Sequence, residues 1–368
     1  MQLRRSVLLA LMIIAFIIFE THSCSEDRSV EPDPPLEINN ELLGANDIYF
    51  VDADHGWVVG RLGTAILTDD GGDTWTPVTI DDLDMRGVYF SNTQNGWAVG
   101  REGKLYSSED GGHTWERQVF TGYPELDDLF EVRFVNDTVG FILGYHGVFV
   151  TEDGGGDWVN NWLPIVEYRG AWSMTVIDED YAYLMGSQWT ESDPELLYVT
   201  ENGGLSWSAV PGSNASILRG IITIEFHDRE TGWAGGAAVM KTTDGGRTWT
   251  TQVELATVRE FFIHDAMSVT GVGKNSILRT TDGGATWTDV APTDERIVDL
   301  RAVHFVDAMY GWIAGTGREE IIDGRSVAHT VVLTTTDGGV TWSLREFSYE
   351  TTDLEAAAIE EIPIPMYQ

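Results

Sequence analysis

The chain of 368 residues is poor in cysteine, in lysine and in basic residues altogether. It holds one cysteine and three lysines, and its 22 basic residues face 59 acidic ones, giving a formal net charge of −37. A single cysteine cannot form an intramolecular disulfide or supply a cysteine-based zinc site. The excess of carboxylates repels nucleic-acid phosphates over most of the surface. The composition therefore argues against disulfide scaffolds and nucleic-acid partners, and we predict neither a metal nor a cofactor.

Long apolar runs are also scarce, and the longest lies near the start of the chain. Two arginines precede an apolar run over residues 7–19, which is short for a bilayer span and typical of a secretory signal. Cys24 follows a small serine, as at the cleavage site of a bacterial lipoprotein. We therefore expect a signal peptide over residues 1–23, a lipidated Cys24 and a proline-containing tether over 24–44. An uncleaved anchor and an ordinary secretory signal with an incidental cysteine are the alternatives.

Glycine and tryptophan, in contrast, are abundant and recur together. Among 40 glycines and 14 tryptophans, seven segments share the pattern T/S-x-D/N-G-G-x-x-W, which resembles the Asp-box, or BNR repeat, of sialidases and related propellers. Their closing tryptophans are 38 to 55 residues apart: Trp75, Trp115, Trp158, Trp207, Trp249, Trp287 and Trp342. The third position of the pattern holds Asp70, Asp110, Asp153, Asn202, Asp244, Asp282 and Asp337. Such a period indicates a repeat architecture.

A second motif recurs at the same spacing as the first and completes the repeat. The segments I-Y-F and G-W-V-V-G of the first unit return in the second, and degenerate copies lie near 173–186 and 261–273. Turn residues divide the first unit into four short strands at about 47–51, 56–60, 65–68 and 74–78. Seven four-stranded units predict an all-β fold, a seven-bladed β-propeller over residues 45–348. The tail over 349–368 repeats the start of a unit, so it could add a strand that closes the ring.

The Asp-boxes have a structural explanation. An aspartate such as Asp70 can accept backbone N–H bonds within the turn, the paired glycines supply positive φ, and Trp75 packs between adjacent sheets. Calcium binding by Asp69, Asp70 and Asp73 is the weaker alternative, because the spacing lacks the distal glutamate of an EF-hand. We therefore interpret the boxes as structural turns.

Several of the few basic residues are predicted on one face of the propeller, the face opposite the Asp-boxes. In five of the seven units an arginine occupies one position of the inner strand, with Asn46 and Phe130 in the other two; the five are Arg86, Arg169, Arg219, Arg259 and Arg301. Arg61 and Arg101 follow second strands on the same face. Such a cluster would select a carboxylate, a phosphate or an acidic peptide through bidentate guanidinium pairing. Alternatively, each arginine pairs with an acidic neighbour in the chain itself.

Two insertions are expected on that same face. Residues 187–197 and 316–330 would form long loops between second and third strands, and long loops on a rigid scaffold often bind ligands. They could equally be tolerated surface insertions. Eleven of the tryptophans belong to the two motifs, which leaves Trp162, Trp172 and Trp189 as candidates for carbohydrate binding.

The pattern F-x-D-x-x-x-G-W-x-x-G followed by a G-G-x-T-W box is more specific than a generic Asp-box. It is similar to the repeats of the photosystem II stability and assembly factor family, and the resemblance covers about residues 45–348. The resemblance implies a seven-bladed propeller that binds a nascent reaction-centre protein near its processed end and carries an arginine patch on one face. The five aligned arginines are the candidates for that patch.

These observations predict a non-catalytic scaffold that binds a protein partner, itself membrane-associated, through the arginine-bearing face. We expect a monomer that touches the membrane only through its lipid anchor, in the cell envelope at the outer membrane, facing either the periplasm or the exterior. A sialidase-like glycosidase is the alternative enzyme, although the F/Y-R-I-P motif that precedes a sialidase's first box is absent. A surface carbohydrate-binding or adhesion lipoprotein is the third possibility.

Overall fold

The computed structural model describes residues 44–120, 128–162, 170–186, 196–213, 218–254, 256–322 and 325–347. Within these residues the chain forms seven antiparallel sheets of four strands, each built from strands that are consecutive in sequence. The inner strands of successive sheets pack side by side, and the first inner strand also packs against the last. The prediction of an all-β, seven-bladed propeller is confirmed.

The first three blades contain twelve strands. Blade 1 consists of β1 (Ala45–Phe50), β2 (Gly56–Gly60), β3 (Thr64–Thr68) and β4 (Thr76–Thr79). Blade 2 consists of β5 (Met85–Phe90), β6 (Gly96–Gly100), β7 (Leu105–Ser108) and β8 (Glu116–Gln118). Blade 3 consists of β9 (Leu129–Phe134), β10 (Gly140–Gly144), β11 (Gly147–Thr151) and β12 (Val159–Trp162). Short 3-10 turns follow β2 and β6, over Arg61–Gly63 and Arg101–Gly103.

The other four blades follow the same order. Blade 4 consists of β13 (Ala171–Val176), β14 (Ala182–Gly186), β15 (Leu197–Thr200) and β16 (Ser208–Ala209). Blade 5 consists of β17 (Ile221–Phe226), β18 (Gly232–Gly236), β19 (Ala238–Thr242) and β20 (Thr250–Glu254). Blade 6 consists of β21 (Val258–Ile263), β22 (Val269–Gly273), β23 (Ser276–Thr280) and β24 (Thr288–Asp289). Blade 7 consists of β25 (Asp299–Phe305), β26 (Gly311–Ile322), β27 (Arg325–Thr335) and β28 (Ser343–Phe347).

The Asp-boxes are self-contained turns, as predicted. In blade 1, Oδ1 of Asp70 accepts the Thr68 hydroxyl at 2.8 Å and the Thr74 N–H at 2.7 Å, while Oδ2 accepts the Thr74 hydroxyl at 2.6 Å. Gly71 and Gly72 have φ of 73° and 92°, a region that glycine adopts without a steric penalty. Both carboxylate oxygens thus serve the turn. Within the described residues, no group of three or more His, Cys, Asp or Glu is arranged to hold a metal.

At the boundary between blades 1 and 2, the tryptophan of the second strand holds the two blades together. Trp57 of blade 1 donates its indole N–H to the carbonyl of Gly111 in the next Asp-box at 2.8 Å and stacks on Phe90 with ring centroids 3.5 Å apart. The glycine before this tryptophan, Gly56, lies opposite Phe50, whose ring a Cβ at Gly56 would overlap. The repeated phenylalanine, glycine and tryptophan of the second motif therefore form one packing unit.

The ring closes by the same contacts. Trp312 of blade 7 donates to the carbonyl of Gly71 in blade 1 at 2.9 Å and stacks on Phe50 at 3.6 Å. Trp75 packs into this boundary too, edge-on to Phe50 and to Phe347 of blade 7. Each blade takes its four described strands from its own segment, so β1 and β25 meet by packing. The tail over 349–368 lies outside the described residues, and its closing strand stays a prediction.

One predicted loop has a different structure. Residues 316–330 were expected to form a long loop, but β26 and β27 continue through them as a hairpin, with Thr316 opposite Thr330 and Ile322 opposite Arg325. Backbone pairing extends these strands past the sheet, on the face where the inner strands begin. The other predicted loop, 187–197, lies largely outside the described residues. No helix in the described part of the chain is long and apolar enough to cross a membrane.

Candidate partner-binding site

All seven inner strands carry a β-bulge near their start, at the second residue of six strands and at the third residue of β25. A bulge sets two residues opposite one on the partner strand and so redirects a side chain. The redirected residues all line one central channel of about 780 Å³ and form its mouth: Asn46, Arg86, Phe130, Trp172, Ile222, Arg259 and Arg301. We call these seven the bulge residues. They lie on the face opposite the Asp-boxes, where the arginine cluster was predicted.

Three of the predicted arginines are bulge residues. Arg86, Arg259 and Arg301 keep 30%, 40% and 31% of their side-chain surface exposed to the channel mouth. Arg61, in the turn after β2, also lines the channel. These four arginines are brought together as the sequence analysis expected.

The other three predicted arginines are placed differently. Arg219 is exposed in the turn before β17, whose bulge residue is Ile222, so its alignment with Arg86 is wrong. Blade 4 likewise has Trp172 at the bulge, and Arg169 lies outside the described residues. Arg101 is half-buried in the turn after β6, where its Nε has no hydrogen-bond partner.

The bulge arginines also link neighbouring blades. Arg259 contacts Asp299 of blade 7 at 3.0 Å, and Arg301 contacts the same carboxylate at 3.4 Å. Arg301 then donates to the side chain of Asn46 in blade 1 at 2.9 Å, and Asn46 donates to the carbonyl of Met85 in blade 2 at 2.8 Å. Pairing with acidic neighbours, one of the two alternatives for the arginines, is therefore present.

Asp128 completes this series of contacts. Arg86 contacts its carboxylate at 2.7 Å, and the other carboxylate oxygen accepts the N–H of Glu102 at 3.2 Å. Asp84 accepts the N–H of Leu62 in the same way, at 3.0 Å. The contacts run from blade 6 through blades 7, 1 and 2 to blade 3, and they fix the guanidinium groups while leaving each partly exposed.

The remaining bulge residues are apolar. Phe130 and Trp172 have ring centroids 5.4 Å apart, and Tyr145 meets Trp172 edge-on at 5.8 Å. The guanidinium of Arg86 lies 4.9 Å from the centroid of Phe130, a cation–π distance. Trp172 is 48% exposed and Ile222 is 42% exposed. From the sequence, Phe130 was placed at the aligned inner-strand position and Trp172 was noted only as a tryptophan outside the repeats, while Tyr145 was missed.

Below the mouth the channel carries a cluster of charges that the sequence analysis also missed. Arg133 of blade 3 forms ion pairs with Glu131 on its own strand and, at 3.7 Å, with Glu260 of blade 6. Asp47 accepts the N–H of Val88 in blade 2 at 2.9 Å. Glu260 likewise accepts the N–H of Val303 in blade 7 at 2.9 Å. These side chains join inner strands across and around the channel.

Burial raises the pKa of most carboxyl groups in this cluster. Burial raises the pKa of Asp47 to about 6 and that of Glu225 to about 7, although Arg133 opposes both shifts. Burial and the nearby Asp47 raise the pKa of Glu260 well above its usual range. Burial would lower the pKa of Arg133, but the surrounding glutamates, Glu131 foremost, raise it. The channel interior is thus acidic below a mouth that carries arginine.

Charged residues in the inner strands were the available sequence signal for this cluster. Asp47, Glu131, Glu225 and Glu260 interrupt strands that are otherwise largely apolar, at the first or third position after the bulge. Because every inner strand faces the same channel, such positions converge in space. The bulge shifts the register of the residues beside it, and the sequence alone does not locate a bulge, so it did not show which of these side chains face the channel.

Comparisons with known proteins agree with this architecture. A family profile described as photosynthesis system II assembly factor YCF48 matches residues 33–121, 77–152 and 123–256. The photosystem II stability/assembly factor HCF136 of the Guillardia theta chloroplast is 55% identical over 40 residues, 10% of each chain, so the match spans about a tenth of that relative.

Two solved structures have a similar fold. YCF48 bound to D1 peptide is 18% identical, with a TM-score of 0.62 over 81% of this chain and 94% of the other. YCF48 from Cyanidioschyzon merolae is 20% identical, with a TM-score of 0.61 over 80% of this chain and 95% of the other. At these identities the similarity supports the fold alone.

Proposed function

The chain belongs to the photosynthesis system II assembly factor YCF48 family, and from that membership we propose that it is a non-catalytic scaffold that binds a protein partner at the channel mouth. The observation that carries the proposal is the position of Arg61, Arg86, Arg259 and Arg301 around one opening of a protein whose net charge is −37. The relatives with matching sequence are named as assembly factors, which favours binding over catalysis.

The geometry of the mouth suits recognition of carboxylates. Asp128 and Asp299 are shared among the three bulge arginines, so this part of the mouth keeps a net positive charge. The same aspartates hold the guanidinium groups in place, and a pre-organised guanidinium loses less entropy when it pairs with a carboxylate. Since the rest of the surface repels acidic segments, the mouth is where such a segment would dock.

The partner is proposed to be a membrane-associated protein that offers a peptide segment. One structural relative is described as bound to D1 peptide, and we extend that mode of binding to this chain. The extension rests on the shared propeller and on the arginines described above. A photosystem component and an unrelated envelope protein are both compatible with this chemistry, and capture from native membranes distinguishes them.

The test compares two triple variants with equal changes in charge. One replaces Arg86, Arg259 and Arg301 by Gln, and the matched control replaces Arg117, Arg229 and Arg247, which are exposed away from the mouth. We expect crosslinking in native membranes to capture a partner with the wild type and the control and to lose it with the mouth variant. Equal capture by all three proteins would contradict the proposal.

We also propose that the protein is lipid-anchored in the cell envelope through Cys24. The support is the apolar run over residues 7–19 with a cysteine directly after Ser23. Labelled fatty acid should be incorporated by the wild type and by a Ser25→Ala control, and should be absent from a Cys24→Ala variant. Unlabelled wild-type protein would refute the anchor without affecting the binding proposal.

A further inference from the structure

The seven bulge residues divide the mouth into two arcs. Blades 6, 7, 1 and 2 carry Arg259, Arg301, Asn46 and Arg86, which we call the basic arc. Blades 3, 4 and 5 carry Phe130, Trp172 and Ile222, which we call the aromatic arc. One backbone position thus changes from polar to apolar around the ring.

The fold does not require apolar side chains at these positions. Asn46 and Arg301 occupy the equivalent bulges in blades 1 and 7 with the same strand pairing. Trp172 and Ile222 nevertheless remain 48% and 42% exposed. Large apolar side chains that are clustered, exposed and unnecessary for packing are typical of interaction surfaces.

Trp172 is also held in a fixed orientation. Phe130 packs against one side of it at 5.4 Å and Tyr145 meets it edge-on at 5.8 Å, so the indole presents a defined surface to the mouth. A rigid aromatic side chain offers contact area at a small entropic cost, which is why such residues act as binding hot spots.

The order of the blades places the two arcs opposite each other. In a ring of seven, blade 4 lies across from the boundary between blades 7 and 1, so Trp172 faces Asn46 and Arg301 over the channel. Deeper in the channel, Asp47, Glu131, Glu225 and Glu260 outnumber Arg133. Acidic side chains are therefore attracted to the basic arc and repelled from the interior, and a ligand would lie across the mouth without threading through it.

We propose that the aromatic arc binds a bulky apolar side chain of the same partner peptide whose acidic residues pair with the basic arc. The inference rests on the proposed function and adds the class of peptide to it: a segment that combines Asp or Glu with an aromatic or large aliphatic residue. Charge complementarity determines the acidic part, and the exposed Trp172 and Ile222, with the half-buried Phe130 beside Trp172, determine the apolar part.

The experiment selects peptides from a random dodecapeptide display library on the immobilised full chain. We expect selected peptides to be enriched in both acidic and bulky apolar residues. Trp172→Ala should weaken peptide binding by about tenfold or more, as expected when an aromatic side chain that the bound peptide covers is truncated. Trp172→Phe should retain most of the binding. Tyr310→Ala, an equally exposed aromatic at 41% on the Asp-box face, is the matched control.

A second variant guards against misfolding. Ile222→Asn places at the blade 5 bulge the residue that blade 1 already carries there, and it too should weaken binding. Acidic peptides without apolar enrichment, bound equally by wild type and Trp172→Ala, would overturn this inference and leave the proposed function intact. A library from which the folded wild type enriches no peptide would overturn both.

Discussion

At the scale of single residues, the carboxyl groups of the Asp-boxes and several of those in the channel have opposite pKa shifts. Hydrogen bonds from neighbouring threonines, Thr286 and Thr341 foremost, lower the pKa of Asp282 and that of Asp337 to about 2. Burial raises the pKa of Asp47 to about 6 and that of Glu225 to about 7. The first set serves the turns as charged groups, whereas the second set favours the protonated form in the folded protein.

The two sets, together with His264 and His304, whose pKa values burial lowers to about 4, predict that thermal stability is greatest between about pH 4 and 7. The Asp-box groups stabilise the folded state above their unfolded pKa of about 4 and lose that contribution as pH falls towards 2. The channel groups stabilise it below about 4 and lose their contribution as pH rises through 6 and 7. Calorimetric melting temperatures from pH 2 to 9 should therefore pass through a maximum, and a flat profile would contradict these assignments.

The variant Glu225→Gln distinguishes the effect of the channel carboxyl groups on stability from that of the Asp-box carboxylates. At pH 8 the wild-type side chain is charged in a desolvated site, so the neutral variant should melt a few degrees higher, while at pH 4 the two should agree. Glu254→Gln removes the same charge from an exposed strand position and serves as the control. The same increase at both pH values would mean that charge burial is not the cause.

The positions of the arginines were predicted correctly for some blades and incorrectly for others. Arg86, Arg259 and Arg301 were predicted at the mouth from the alignment of the inner strands, and each occupies the bulge of its strand. Arg219 was misplaced because the inner strand of blade 5 begins at Ile221, and a bulge cannot be located without the pairing of its partner strand. Trp172 and Ile222 were missed at the mouth for the same reason, whereas Phe130 was aligned correctly.

At the scale of elements, the Asp-box turn tolerates one natural substitution. Asn202 takes the place of the aspartate in blade 4, where its oxygen accepts the Ser206 N–H at 3.0 Å and its amide donates to the Ser206 hydroxyl at 2.9 Å. The Asn202 side chain thus accepts the backbone N–H as an aspartate does, but it donates to the Ser206 hydroxyl, whereas an aspartate accepts from the hydroxyl. The turn depends on its hydrogen bonds more than on the charge of the side chain.

This comparison predicts the ranking of two variants in blade 6. Asp282→Asn should preserve the turn and lower the melting temperature only slightly at neutral pH. Asp282→Ala removes every acceptor that Thr280 and Thr286 use and should lower it by several degrees. Differential scanning fluorimetry checks the order, and equal losses would show that the charge itself is required.

The elements themselves were largely predictable. A phenylalanine opposite a glycine recurs in five blades because they share the close contact seen between Phe50 and Gly56, and the box recurs because every blade makes the same tight turn. The hairpin over 316–330 was missed because its polar residues show no apolar alternation, and its strands are defined by backbone pairing. Periodicity therefore identified the elements with an apolar pattern and gave no signal for this mostly polar one.

At the scale of the whole molecule, the boundary between blades 7 and 1 uses the contacts found between blades 1 and 2. Trp312 donates to Gly71 and stacks on Phe50, just as Trp57 donates to Gly111 and stacks on Phe90. Arg345 adds an ion pair to Asp73 across the closing boundary at 2.6 Å. Among the described strands none is exchanged between the two blades.

Because Trp312 and Trp57 make equivalent contacts, we expect their substitution to lower the free energy of unfolding by equal amounts. Trp312→Phe and Trp57→Phe should each cost about 1–2 kcal/mol, and the corresponding alanine variants about 3–5 kcal/mol, since both indoles are almost fully buried. Denaturant unfolding monitored by circular dichroism measures both. A much larger loss at Trp312 would indicate that the closing boundary is weaker than the internal one.

The boundary between blades 7 and 1 has the same contacts as the boundary between blades 1 and 2, so the order of the blades is cyclic. Because the sheets each use one continuous segment and the closing contacts repeat an internal set, the point at which translation begins is not a landmark of the fold. A circular permutant that starts at blade 2 and ends with blade 1 would keep every indole-to-glycine bond. Opening the ring between blades 1 and 2 and joining blade 7 to blade 1 would therefore require no new kind of contact at the closure.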